Sequence, residues 1–226
     1  MTKDYSHQFV EHAITIGALE LLPAGRKLKS GRISPYFFNS GLYTKGSSLQ
    51  QLAEAYAKAI VSNWSRIEPE VIFGPAYKGI TLASAVAVEL SKLGFDIEYA
   101  YNRKEQKLHG DGGLIVGNIS GKKVLMIDDV ITDGATKDEA MGVVKNHNGS
   151  VTGLIIAFDR CERTSEGDLS AAQTFEQRYQ VPVLAIANTL DLTEYLSRVD
   201  VTLPTDIDKN SIIRQIVAYG VEYGAV

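Results

Sequence analysis

Val124-Leu125-Met126-Ile127-Asp128-Asp129-Val130-Ile131-Thr132-Asp133-Gly134-Ala135-Thr136 is the stretch around which this chain is organised. Its four leading apolar residues follow Gly121-Lys122-Lys123 and read as a strand buried on both faces. Two carboxylates stand where that strand runs out, a Thr/Gly segment follows, and Lys137-Asp138-Glu139-Ala140-Met141 opens a helical pattern. A strand, a small-residue loop and a helix start form an anion site, because free backbone N–H groups and the positive end of the helix dipole point into the loop. Adjacent carboxylates beside such a loop accept hydrogen bonds from sugar hydroxyls or anchor a hydrated Mg²⁺. Phosphate, diol and cation within one turn describe an activated sugar phosphate.

Outward from this stretch, strands and helices alternate from Glu70 onward. Short apolar runs at 71–73, 97–101, 151–158 and 183–187 read as strands, and 80–93, 169–179 and the segment up to about 147 read as helices. Such alternation implies a parallel sheet with right-handed crossovers and ligands at the carboxyl ends of its strands. Ahead of this core, the spacing predicts a helix over 4–22 ending near Pro23, a strand at Tyr36-Phe37-Phe38, and a helix over 49–64 capped by Ser47 or Ser48. Terminal helices are expected at 191–198 and 212–219. The expected organisation is one α/β domain over 1–226: a helix and hood to about 65, a core over about 66–190, and C-terminal helices over 191–226.

Composition narrows the function. With 45% hydrophobic and 22% charged residues the chain has an ordinary globular make-up. A net charge of −4 disfavours general nucleic-acid binding, so an anionic substrate needs local clusters of Lys and Arg. The lone Cys161 excludes an internal disulfide and fits a reducing cytosol, which makes a cytoplasmic location the expectation. No apolar run approaches the length of a membrane span, and no basic-then-apolar leader is expected at the N-terminus.

Three further segments lie at strand ends and carry the required charge. Gly74-Pro75-Ala76-Tyr77-Lys78-Gly79 can present N–H groups to a second phosphate cluster, with Lys78 as a point charge. Arg103-Lys104-Glu105-Gln106-Lys107-Leu108-His109-Gly110-Asp111-Gly112-Gly113 gathers four basic side chains ahead of its glycines, lacks apolar periodicity and reads as a mobile loop. Lys29-Ser30-Gly31-Arg32 precedes Ile33-Ser34-Pro35-Tyr36-Phe37-Phe38-Asn39, where at least one of the three aromatics must be core. Asp159-Arg160 closes the strand after the opening stretch, and Arg160 suits a bidentate grip on a carboxylate.

The opening stretch resembles the PRPP-binding signature of the type I phosphoribosyltransferases. The other segments are similar to elements of the orotate phosphoribosyltransferase family: the pyrophosphate loop, the basic catalytic loop, and the hood beginning at Lys29. The resemblance spans roughly residues 5–200. It implies a type I phosphoribosyltransferase fold, with a parallel sheet flanked by helices and a small N-terminal hood, and transfer of the 5-phosphoribosyl group from PRPP to N1 of orotate. It also implies a cis peptide between Ala76 and Tyr77. Asp128 and Asp129 are implied to hold the ribose hydroxyls, directly or through a hydrated Mg²⁺ carried mainly by PRPP and pyrophosphate, with no dedicated protein metal site. Val130, Ile131, Thr132, Asp133, Gly134, Ala135 and Thr136 are implied around the 5′-phosphate, Tyr77 and Lys78 at the pyrophosphate, and Lys29 at PRPP. Arg103, Lys104, Lys107 and His109 are implied to stabilise the departing charge. Lys104, Lys107, His109, Asp128 and Asp129 form the implied catalytic set, and Phe37, Phe38, Thr132 and Arg160 the implied orotate contacts. Partners implied are the two substrates and a second copy of the chain, in a homodimer that shares its active-site loop; neither nucleic acid nor membrane is among them.

Departures from the family pattern are local. Leu108 and Asp111 stand where Asp and Glu are usual, and Thr132-Asp133-Gly134-Ala135 replaces Thr-Ala-Gly-Thr. Asp133 is expected to turn away from the phosphate, and Thr136 to supply the missing hydroxyl. Two alternatives remain at this point: a purine phosphoribosyltransferase, which shares the signature but not the Lys-Ser-Gly-Arg…Phe-Phe segment, and a PRPP-sensing regulator, which keeps the signature but tends to show a basic RNA-binding face, whereas this chain is acidic with an intact basic loop.

Overall fold

The computed structural model describes residues 4–107, 113–132, 135–165, 167–201, 203 and 207–225, without the side chains of 106, 107 and 135. A central sheet runs in the order β5(Gly113–Val116), β4(Glu98–Lys107), β3(Val71–Gly74), β6(Lys123–Ile127), β7(Ser150–Asp159), β8(Val183–Asn188). All neighbours are parallel except β4 and β5. Strand β6 lies in the middle because its side chains are apolar on both faces: Val124, Leu125, Met126 and Ile127 are all 0% exposed. Leu125 and Ile127 join one core with Ile72 and Ile155, whereas Val124 and Met126 join a second core with Val71, Phe73 and Leu154. Period-two alternation thus sends successive residues into opposite layers.

The first layer holds α1(Asp4–Thr15), α2(Gly46–Ser62), α4(Lys78–Lys92), α7(Thr189–Ser197) and α8(Lys209–Tyr223), with the short α3(Trp64–Ile67) joining through Ile67. The second holds α5(Ala135–Asn146) and α6(Ala171–Tyr179), through Ala140, Val144 and Phe175. An antiparallel hairpin of β1(Leu19–Lys27) and β2(Ile33–Phe38) forms the hood.

Three sequence expectations change. The helix expected over 4–22 stops at Thr15, where Gly17 takes φ +74° and turns the chain into β1. Leu19 and Leu21 fit a helical period and also the alternating burial of a strand, and the tertiary contacts select the strand. Helix α2 begins at Gly46 with Lys45 as N-cap, while Ser48 lies in its first turn, accepting from the Lys45 N–H and donating to the Lys45 carbonyl. The polar run after Tyr101 is not simply a loop: β4 continues to Lys107 and pairs with β5, Asn102 opposite Ile115 and Lys107 opposite Gly113. Backbone pairing and polar side chains, Arg103 among them, hold β4 beyond Tyr101, so apolar periodicity gave no signal for it.

Cys161 sits just beyond β7, half-buried with φ +52°, and burial, reinforced by the Asp159 carboxylate, pushes its thiol up to about 12. At pH 8 the thiolate fraction should then be roughly a thousandfold below that of an ordinary thiol. Labelling by a disulfide reagent should be correspondingly slow in the folded protein and complete in guanidinium; rapid labelling of the folded chain would contradict the burial assigned here.

Candidate active site

The end of β6 is shaped by continued pairing with β7. Asp128 N–H donates to the Ile155 carbonyl at 3.1 Å, and the Asp129 carbonyl accepts from Ala157 N–H at 2.9 Å. Both acidic residues are held at 7% exposure. Val130 then packs against the first core and Ile131 against the second, fixing the direction in which the chain leaves the sheet.

Each carboxylate has its own lysine. Lys137, buried in the first half of α5, places Nζ 2.5 Å from Asp128 Oδ2. Lys78, at the start of α4, places Nζ 2.7 Å from Asp129 Oδ2, and the Ser40 hydroxyl donates to that same oxygen at 2.5 Å. Burial raises the Asp128 carboxyl above its ordinary value, and the charge and hydrogen bond of Lys137 only partly offset this. Burial pushes Asp129 in the same direction, but hydrogen bonds from Lys78 and Ser40 and the Lys78 charge outweigh it and hold that carboxyl below its ordinary value. The Tyr56 hydroxyl, buried in α2, donates to the Asp128 carbonyl at 2.7 Å and ties the site to the first layer.

The loop after β3 closes on itself. A Cβ at Gly74 would lie 1.9 Å from the Gly79 carbonyl oxygen, and one at Gly79 would lie 2.7 Å from Gly74 C and Pro75 Cδ. No side chain fits at either position, which is why both are glycine. Within the loop the Ala76–Tyr77 peptide is cis, as the resemblance implies, and Ala76 N–H donates to Asn102 Oδ1 at 3.1 Å. The Tyr77 ring is 69% exposed, with Lys104 Nζ 5.1 Å from its centroid.

The hood ends beside the same carboxylates, with only Asn39 between Phe38 and Ser40. Tyr36 and Phe38 are buried, Phe38 stacking on Phe158 with centroids 5.9 Å apart, whereas Phe37 alternates outward under the Arg26 guanidinium at 4.5 Å. Arg160 turns back onto the hood, donating to Ser34 Oγ at 2.8 Å and to the Tyr36 carbonyl at 3.3 Å.

Among the expected site residues, Asp128, Asp129, Lys78 and Tyr77 therefore converge, with Lys104 reaching Tyr77. Thr132 and Thr136 are exposed at the entry to α5. Arg103 donates to the Gly113 carbonyl at 3.1 Å across the β4–β5 arm, and Lys29 lies exposed in the hood turn. His109, Asp133 and Gly134 fall outside the described residues, as do the side chains of Lys107 and Ala135. Sequence reasoning missed Lys137, Ser40, Tyr56 and Asn102. Lys137 reads as an ordinary polar residue opening a helix; only the fold shows it turned inward. The donor set suits Mg²⁺, a hard cation that keeps several waters and takes one or two carboxylates alongside substrate phosphates.

Comparison with known proteins agrees with this geometry. The phosphoribosyl transferase domain family matches residues 42–186. An orotate phosphoribosyltransferase of Stenotrophomonas maltophilia is 46% identical over 196 residues, 86% of this chain and 88% of its own length. That of Kluyveromyces lactis is 48% identical over 202 residues, with the same two coverages. The crystal structure of orotate phosphoribosyltransferase from Francisella tularensis superposes with a TM-score of 0.83 at 36% identity, covering 96% of this chain and 99% of that one.

Proposed function

Because the chain belongs to the phosphoribosyltransferase family, among its orotate phosphoribosyltransferases, we propose that the Asp128–Asp129 end of β6 is the centre of a PRPP site shared by the hood, the signature loop and the β3–α4 loop. The reaction is transfer of the 5-phosphoribosyl group from PRPP to N1 of orotate, giving orotidine 5′-monophosphate and pyrophosphate. One observation carries the assignment of the site. At Asp129 Oδ2 the hood, through Ser40, and the β3–α4 loop, through Lys78, meet the signature on a single oxygen.

In the reaction the bond from ribose C1 to pyrophosphate breaks, its electron pair leaving with pyrophosphate. The orotate N1 lone pair forms the new bond, and the N1 proton is released. The acidity of orotate N1 removes the need for a strong general base, so catalysis is mainly placement and electrostatics. Asp128 and Asp129 accept from the ribose hydroxyls and steady the positive charge that develops at the ribosyl centre. Lys78 exchanges its hold on Asp129 for the pyrophosphate oxygens, and Lys104 beside Tyr77 faces the same group. The backbone from Val130 to Thr136 at the start of α5 binds the 5′-phosphate. Phe37, Phe38, Thr132 and Arg160 border orotate, and Lys29 reaches PRPP. Mg²⁺ carried by PRPP would offset the charge of the leaving pyrophosphate, with Asp128 and Asp129 within reach of its waters. Mass spectrometry of the product tests the reaction: orotidine 5′-monophosphate, formed only with both substrates, supports it, and free ribose 5-phosphate as the only product contradicts it.

The unit that works is a homodimer that shares its active-site loop across subunits, with Lys107 serving the neighbouring site. What supports this is the β4–β5 arm, which runs past the end of its parallel neighbour β3. Lys107→Ala and Asp129→Asn chains, each inactive alone, should regain about a quarter of wild-type activity after subunit exchange at equal amounts, since half the dimers are hybrids with one intact site. Exchange without recovery would place the whole site within one chain.

A further inference from the structure

One carboxylate organises the pyrimidine end of this site, and neither motif nor charge pattern singles it out. Glu162 lies just past β7, its side chain 13% exposed. Its Oε1 accepts from Arg160 Nε at 2.7 Å and lies 2.5 Å from Arg160 Nη2, while its Oε2 accepts from Arg32 Nη1 at 3.0 Å. The two guanidiniums arrive from different elements, Arg32 from the hood turn and Arg160 from the end of β7. Their side chains are 19% and 20% exposed, which strengthens the charge-assisted bonds relative to a surface pair.

Arg160 is thereby fixed at both ends of its fork. The nitrogen shared with Glu162 also donates to Ser34 Oγ at 2.8 Å, and the other terminal nitrogen donates to the Tyr36 carbonyl at 3.3 Å. Its Cζ lies 4.5 Å from the Tyr36 ring centroid. Ser34 and Tyr36 belong to the strand whose next residues are Phe37 and Phe38. Where Arg160 stands therefore determines where that strand, and the aromatic pair at its end, can stand.

We propose that Glu162 is a positioning residue for orotate, holding Arg160 between β7 and the hood so that the guanidinium and the Phe37–Phe38 pair keep one geometry. This rests on the orotate reading given above. Without the carboxylate, Arg160 and Arg32 repel each other across the same gap, and Arg160, left with only the neutral Ser34 hydroxyl and Tyr36 carbonyl as acceptors, is free to sample other rotamers. Binding of the flat base should suffer, whereas PRPP, held mainly by β6, α5 and the β3–α4 loop, should not.

The test is the steady-state kinetics of Glu162→Gln, a change that preserves shape and removes charge. The KM for orotate should rise at least tenfold while the KM for PRPP stays within about twofold and the melting temperature falls by only a few degrees. Glu162→Asp, which keeps the charge on a shorter arm, should recover part of the loss, and it replaces Glu162→Gln as the decisive variant if the latter does not fold. An unchanged KM for orotate, or both KM values rising together with a collapse in melting temperature, would overturn the proposal. The wild-type chain separates the two levels. If it fails to consume orotate, the underlying reading falls; if it is active and the variants keep the wild-type KM for orotate, only the role of Glu162 falls.

Discussion

Replacing Asp129 by asparagine is expected to lower kcat/KM for PRPP about a thousandfold, roughly 4 kcal/mol of transition-state stabilisation. Asp129 Oδ2 is the point where Lys78 Nζ, at 2.7 Å, and Ser40 Oγ, at 2.5 Å, converge, and the side chain is only 10% exposed. Asparagine keeps the shape but removes the charge. In one rotamer it also aims an amide donor at two other donors. Because the folded carboxyl titrates below its ordinary value, the stabilisation from its pairing is fully present above the ordinary carboxylate range and fades only as pH falls through the lowered value. At pH 8 the wild type is therefore fully ionised, and the comparison is between a charge and none. Initial rates at saturating orotate measure the effect. A loss of less than tenfold would mean that Asp129 serves the fold and not the ribose.

Lys137→Met should have the largest effect on stability. The Lys137–Asp128 pair has side chains only 9% and 11% exposed, so removing the lysine strands a buried carboxylate. Breaking such a pair from one side costs about 3–5 kcal/mol, and a chain of this size should lose roughly 6–20 °C in melting temperature. Burial already holds the Asp128 carboxyl above its ordinary value with Lys137 present. Without that lysine, protonation is the route of relief, so the variant should be least impaired at low pH. Adding Asp128→Asn removes the second charge and should restore a large part of the stability but none of the activity. Differential scanning calorimetry of the two single variants and the double variant decides this. Equal melting temperatures for wild type and Lys137→Met would show that the pair contributes nothing to the fold.

Much of this molecule was readable from residue order because one segment carries several signals at once. The run Val124–Ile127 is apolar at consecutive positions, which only a strand covered on both faces can satisfy, and the structure places it at the middle of the sheet with both layers against it. Asp128 and Asp129 were legible because two carboxylates at the end of such a strand have no packing explanation. Gly74 and Gly79 announced a loop, and their close approach explains why neither can carry a side chain. What stayed hidden depended on distance in sequence. Ser40 lies 89 residues from Asp129, and Tyr56 lies 72 residues from Asp128. A serine and a tyrosine say nothing of such partners until the chain folds. Lys137 and Glu162 were hidden for a second reason: charged residues beside a helix start or a turn are usually solvated, and only burial reveals that these are not. The segment 19–22 misled because a leucine pattern so short satisfies both periods, and Gly17, with φ +74°, decides between them.

The central claim is that hood and phosphate loops together make a site for orotate and not for a purine. Its most direct measurement is kcat/KM with PRPP and Mg²⁺ for orotate, uracil, adenine and hypoxanthine, each followed by the change in base absorbance. The proposed assignment predicts efficient consumption of orotate, with the other three bases slower by about 10⁴ or more, because the hood and Arg160 are the elements proposed to border the carboxylated pyrimidine. Turnover of adenine or hypoxanthine at rates matching or exceeding orotate would contradict it.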